Sequence, residues 1–418
     1  MSIKRLTEQI LEKKLTIGNI GKVQYKFIVH LFDLWLRIQG RHNFVNLSRY
    51  GNYNEQTYRN QFSNDFDFIG FNQQLATTYL SQPILTFDPF HISKSGKCTV
   101  GVGKYYSGCR GDLEWGLEFG GIGAVDLKTK TAIHVGAFQT LDTTADKDLG
   151  MNRTAYYANH LVKHKEALQE ISKIVVADSY FAKQGFIQTL QNSGYEVITR
   201  LRKDAHIRYL YTGQRTGKPG RPRQFDGQIN PLNLRMDYFK LIHDSEQDGN
   251  NKTKGIRCKA YEATMNVKAW KQNVKLVVVH YLDSEGNIKR YQLLASTDIE
   301  MEGQEVKKSY NYRFQSEFVF RDGKQFTGLN HCQARSRDKL HFHINTSLTI
   351  VSLAKICHLI QKKNKNIQDK PFSMANFKTS YTNGFIFNRI IEWFGFNPNT
   401  ALIKSVREKV MSIGKIAA

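Results

Sequence analysis

Between Pro83 and Arg202 the chain alternates short apolar runs with helical stretches in an order that few folds accommodate. Ile84-Leu-Thr-Phe-Asp88 is an apolar run that Pro89 is expected to end. Trp115 to Asp126 and Ala132 to Phe138 read as a glycine-punctuated hairpin, Tyr156 to Ile171 as a helix and Lys173 to Asp178 as a buried strand. A further helix, Ala182 to Gln191, precedes a strand from Tyr195 to Arg202. The first and fourth strands thus finish on Asp88 and Asp178. For either aspartate alone, a turn or a helix cap is an ordinary explanation.

Three strands, helix, strand, helix, strand is the order of an RNase H-like core. In that fold the first and fourth strands lie side by side, so Asp88 and Asp178 are expected to meet at their carboxyl ends. The predicted class is α/β: an RNase H-like core (77–204 and 306–361) with a mixed five-stranded sheet flanked by helices. A β-rich insertion (205–305) interrupts it, with strand-like runs at Ile256 to Met265, Val274 to Tyr281 and Arg290 to Ala295. Residues 1–76 are expected to form an all-α domain of DNA-binding type and 362–418 a helical C-terminal region. In the former, Asn43 to Tyr50, Gly51 and Asn54 to Phe62 read as helix, turn, helix, which leaves Gln56, Arg59 and Asn60 to reach base edges. A plain helical hairpin explains the same pattern.

The stretch from Lys307 to Lys324 carries the most chemistry. Taken as one helix at about 100° per residue, Tyr310, Arg313, Glu317 and Lys324 share an arc of roughly 60°. An ordinary i, i+4 ion pair accounts for Arg313 and Glu317 alone, and Gly323 is a candidate helix stop before Lys324. Spelled Tyr-x2-Arg-x3-Glu-x6-Lys, the stretch resembles the signature of DDE-type bacterial insertion-sequence transposases, in the Y-R-E-K subgroup (the IS-four family). The resemblance covers about residues 80 to 345. It implies that Asp88, Asp178 and Glu317 hold two Mg²⁺ ions, with Mn²⁺ able to substitute, and that Tyr310, Arg313 and Lys324 hold phosphates. Hard oxygen ligands from separate elements suit such ions. It further implies a partner of double-stranded DNA, both transposon ends and target, gripped by a homodimer in the synaptic complex. Tyr291, within Lys289-Arg-Tyr-Gln-Leu-Leu294, stands where the family places an aromatic for a flipped base, with Trp270 as a second candidate. A core aromatic explains Tyr291 as well.

A formal charge of +23, spread over the whole length, points to a polyanion partner. Five cysteines with no CxxC pair argue against a disulfide framework or a zinc knuckle and fit a reducing cytoplasm; the resemblance implies a bacterial one, with the protein nucleoid-associated. No leader-like apolar segment or membrane span is read. Lys94-Ser-Gly-Lys97 and Lys104-Tyr-Tyr-Ser-Gly108 lack P-loop spacing and read as flexible DNA-backbone contacts or plain solvent loops. Arg221 and Arg223 in Lys218-Pro-Gly-Arg-Pro-Arg223 suit a minor-groove hook. His341 and His343 have no companions at ligand spacing and read as structural. The expected activity is terminal-repeat binding, Mg²⁺-dependent cleavage and strand transfer. The alternatives are a catalytically inactive transposase-derived DNA-binding protein and an RNase H-like nuclease without strand transfer.

Overall fold

A computed structural model describes residues 2–16, 20–107, 110–140, 151–214, 220–245, 257–365 and 371–416. Cys109, Gly108, Lys218, Pro219 and Ile256 lie outside them. Five helices come first: α1 (Ile3–Thr16), α2 (Lys22–Trp35), α3 (Phe44–Tyr50), α4 (Glu55–Gln61) and α5 (Phe68–Tyr79). The side chains of Asn43, Asn54 and Asp67 each accept a backbone N–H three residues on, which caps α3, α4 and α5 and fixes where these elements begin. The apolar run of α2 is buried from Phe27 to Trp35, and Trp35 Nε1 donates to the Thr327 carbonyl at 2.8 Å.

The sheet begins with β1 (Pro83–Ser93), β2 (Gly103–Ser107), β3 (Asp112–Asp126) and β4 (Thr131–Gln139). Helices α6 (Arg153–Lys163) and α7 (Lys165–Gln169) lead to β5 (Ile174–Ala177), and α8 (Gln184–Asn192) leads to β6 (Glu196–Leu201). β1 runs antiparallel to β3 and parallel to β5, and β5 is parallel to β6. Contrary to expectation, Pro89 does not end β1, which continues to Ser93. The reason is that β5 stops opposite Phe87, so from Asp88 onward β1 has lost that neighbour and tolerates a residue without an N–H.

After β6 come β7 (Ile207–Leu210), β8 (Phe225–Gln228), β9 (Lys240–Asp244), β10 (Arg257–Val267), β11 (Gln272–Leu282) and β12 (Ile288–Ser296). Because β12 pairs with β6, these strands extend the same sheet, in the order β2-β3-β1-β5-β6-β12-β11-β10-β7-β8, with β4 on β3 and β9 on β10. The mixed sheet therefore has more members than the five expected of the core.

The single helix expected through Tyr310 and Lys324 is divided. It forms α9 (Gly303–Tyr312) and α10 (Gln315–Phe326), joined where the backbone tightens to i→i−3 bonds: Arg313 N to Tyr310 O, Ser316 N to Arg313 O and Glu317 N to Phe314 O. Nor does Gly323 stop the helix, since α10 packs there on Leu348 and Leu329, and tertiary contact overrides propensity. Helix α11 (Arg337–Lys365) follows, then α12 (Met374–Trp393) and α13 (Ala401–Ser412). Among the described residues no helix is long and apolar enough to cross a membrane.

Alternation along β1 sorts its side chains between two buried clusters: Leu85 and Phe87 join α2, α5 and α8, whereas Ile84, Phe90 and Ile92 join α9 and α10. Asp88 shares the second parity and so projects on the α9–α10 face. α11 supplies residues to both clusters, among them Phe342 and Ile350 to the first and Leu340 and Leu348 to the second.

Candidate active site

Three carboxylates are set by three elements. Asp88 is central in β1, Asp178 immediately follows β5, and Glu317 lies in the first turn of α10. The start of α10 is pinned to β1 by a 2.6 Å bond between the Thr86 and Ser316 hydroxyls and by Phe320 stacking on Phe90 at 4.4 Å between centroids. This approach needs Gly121, opposite Asp88 on β3, because a Cβ there would lie 2.6 Å from the Phe320 ring. Thr199 Oγ1 on β6 donates to the Asp178 carbonyl at 3.1 Å and steadies the turn after β5.

Arg313 sits between two of the acids. Its Nη1 donates to Asp88 Oδ2 at 2.8 Å and its Nη2 to Glu317 Oε1 at 3.0 Å. Tyr310 donates its hydroxyl to Asp178 Oδ1 at 3.1 Å, and Arg200 Nη2 lies 3.7 Å from the same oxygen. The tightened turn between α9 and α10 is what aims Tyr310 at one aspartate and Arg313 at the other. Burial pushes the Asp88 carboxyl up to about 6; Arg313 opposes the rise, while Glu317 and Asp178 add to it. Burial, then the Asp178 charge, pushes Tyr310 up to about 12. Burial works against the Arg313 charge, but Asp88 and the other acids outweigh it and hold its pKa above the ordinary value.

Hard carboxylate oxygens from separate elements suit a divalent ion by donor type. Among the described residues no three His, Cys, Asp or Glu side chains are gathered closely enough to hold a metal, and the balancing positive charge between Asp88 and Glu317 is the Arg313 guanidinium. Lys324 lies two turns along α10 from Glu317, and its charge acts on His91 and Glu114.

The other sequence candidates are dispersed. Tyr291 on β12 is half-buried, opposite His280, with Lys203 Nζ 5.8 Å from its ring centre. Trp270 is buried and donates Nε1 to the Ala182 carbonyl, so it has no face to offer a base. Arg59 is paired with Glu55 on its own helix and lies over the Phe44 ring, and Gln56 donates to Asn60 at 2.8 Å. Arg221 bonds Gln224, and Arg223 pairs with Asp226. His343 is buried against the Gly328 carbonyl, in keeping with a structural role. Sequence reasoning missed Arg200 and Tyr180. Arg200 also bonds Ser179, and half-exposed Tyr180 holds Lys183 4.4 Å from its ring centre. A cation on the strand next to the one ending in Asp178 was the available signal for Arg200.

Among solved structures, the chain is similar to piggyBac transposase in a cryo-EM structure of its synaptic complex with hairpin DNA, at 14% identity over 100% of this chain and 76% of that one, with a TM-score of 0.38. No curated protein matches. Residues 154–353 match the family model described as "Transposase DDE domain", a span that takes in Asp178, Tyr310, Arg313 and Glu317 and begins beyond Asp88. That match supports a DDE transposase.

Proposed function

We propose that the protein binds the terminal inverted repeats of an insertion sequence and catalyses divalent-metal-dependent DNA cleavage and strand transfer, as a member of the Y-R-E-K subgroup. The observation that carries this reading is the convergence of Asp88, Asp178 and Glu317, from β1, the end of β5 and α10, on the Tyr310–Arg313 turn. The sheet order β4-β3-β1-β5-β6, with β3 alone antiparallel to both of its neighbours in that run, supports an RNase H-like core.

Asp88, Asp178 and Glu317, which Arg313 and Tyr310 engage here, would hold Mg²⁺ by their donor type once Arg313 gives up Asp88 and Glu317. A divalent ion held by these carboxylates would supply Lewis acidity to the phosphodiester and to its attacking oxygen. The remaining work belongs to the chain. Arg313 has the planar donors to grip a phosphate through two N–H groups once it leaves the carboxylates, and Lys324 adds a point charge farther along the same helix. Tyr310 holds Asp178 in one orientation. A water and then the freed 3′-hydroxyl are the nucleophiles of the two steps. Helices α3 and α4 would read the repeat, Tyr291 would stack on an extruded base, and Arg221 and Arg223 would follow the minor groove. The active assembly would be a homodimer.

Incubating the full-length protein with labelled terminal-repeat DNA and Mg²⁺, with and without a target plasmid, tests the proposal. End-specific cutting plus joining to the plasmid is expected. Cutting without joining would leave a nuclease, and binding without cutting an inactive DNA-binding protein.

A further inference from the structure

Beyond the carboxylate site, the far end of β1 borders a cavity of about 450 Å³ that mixes backbone loops from three parts of the chain. Arg41, Lys94, His331 and Arg335 line it with the hydroxyls of Ser93 and Ser95, and none of its lining residues is an Asp or a Glu. Like charges gathered in one concave space repel, and a site of this kind gains by admitting an anion. Among the described residues neither Arg41 nor Arg335 has a hydrogen-bond or ion-pair partner for its guanidinium.

The segment around Lys94 is not the free loop its composition suggests. Lys94 Nζ donates to the Cys332 carbonyl at 2.6 Å and the Ala334 carbonyl at 3.0 Å, which fastens the loop that bears His331 and Arg335 and leaves one ammonium N–H over. His331 Nδ1 accepts the His42 backbone N–H at 3.2 Å, so the neutral ring carries its proton on Nε2 as a further donor. The cavity thus offers donors of every strength an oxyanion accepts, on a scaffold already fixed. Its volume falls in the range of small-ligand pockets, with room for a phosphate and the sugars esterified to it.

We propose that this cavity seats one backbone phosphate of the bound DNA; the proposal rests on the DNA-cleavage reading above. Ser93 is five residues beyond Asp88 on the same strand, about 17 Å at the rise of a β-strand. At about 3.4 Å per nucleotide step, the phosphate lies roughly five nucleotides from the bond at the carboxylates.

The test uses the full chain and the double variant Arg41→Ala/Arg335→Ala, whose changed side chains are exposed, with circular dichroism as the check on folding. Affinity for terminal-repeat duplex is measured against salt, and again with single methylphosphonates stepped through the flank. Wild type should lose affinity at one position roughly five nucleotides from the cut, and the variant should show no added loss there while its log–log salt slope shallows by about 1. An unchanged slope together with the same methylphosphonate profile in both proteins overturns the assignment. In a second arm, inorganic phosphate is added without DNA and the unfolding midpoint followed. If phosphate stabilises wild type but not the variant while DNA binding is the same in both, the cavity takes a free anion and the DNA assignment is overturned. If no DNA is bound at all, the cleavage reading fails with it, and the phosphate arm alone then reports whether an anion site exists.

Discussion

Strand β1 carries two sites that handle charge in opposite ways. At Asp88 the chain brings carboxylates together and answers them from within, through Arg313, Tyr310 and Arg200. At Ser93 to Ser95 it gathers Arg41, Lys94 and Arg335 and supplies no carboxylate. In the first site two guanidiniums already offset much of the charge of three carboxylates, and Arg313 stands where a cation between Asp88 and Glu317 would sit. The second is unbalanced and gains only by acquiring charge from outside. Unpaired cations gathered together gain from a counter-anion even where they are exposed, so the difference separates a site built to exchange partners from one built to receive one.

The largest effect should come from the acids. Asp88→Asn, Asp178→Asn and Glu317→Gln are each expected to reduce cleavage by about 10³-fold or more while leaving DNA affinity within about threefold. Gel assays of cutting and binding on one labelled end decide this, and near-normal cutting by any variant would remove that residue from the site. Next is Arg313→Ala, which strands Asp88 and Glu317 without their counter-ion. Losing one partner of a largely buried pair costs about 3–5 kcal/mol. Asp88 already titrates near 6, above its ordinary value, and would rise further without the guanidinium. The native variant therefore takes up a proton more readily than native wild type, so its deficit should be largest at high pH, shrink as pH falls through its raised Asp88 pKa and level off below about 6. Urea unfolding of both proteins at pH 8 and pH 5 reads the difference, and a pH-independent gap would contradict the arrangement.

Smaller effects test surfaces between these extremes. Tyr291→Ala should cost about 1–3 kcal/mol of end binding if the ring stacks on an extruded base. A fluorescent base analogue beside the cut, followed in Ca²⁺, should brighten with wild type and not with the variant. Least affected should be Arg59→Ala. Its guanidinium is already engaged by Glu55 and Phe44, so its loss should weaken terminal-repeat binding by less than about 1 kcal/mol, yet more than binding to random DNA. Equal losses on both DNAs would make it a phosphate contact. A loss as large as that of the cavity variant would erase the contrast between paired and unpaired cations.

The alternation of apolar runs and helices matched the element order of an RNase H-like core, whose first and fourth strands are neighbours, and β1 does pair with β5 up to Phe87, just before Asp88. What Pro89 does was not legible, since its tolerance depends on where β5 stops. The helical arc was right in bringing Tyr310, Arg313 and Glu317 to one place and wrong about continuity. The tightened turn at Arg313 and Phe314 is set by packing on β1 and by the pull of the acids, neither of which has a local sequence signature. Two further turns of α10 carry Lys324 along β1, where its charge acts on His91. The cavity was invisible for another reason: Arg41, Lys94 and Arg335 come from three distant segments, and no spacing rule links them.

The bond from Trp35 to the Thr327 carbonyl has a consequence in time. These partners are separated by 292 positions, and Trp35 is wholly enclosed once they meet. On a ribosome adding about 5–20 residues per second, the indole waits roughly 15–60 s for its acceptor to be made. During that interval α2 can pack on α1, already made, but its Trp35 end lacks the enclosure that the segment around Thr327 completes. Nascent chains of this protein should therefore depend on a holding chaperone until residues near Thr327 emerge, and stalling translation just before that point should leave α2 open to protease.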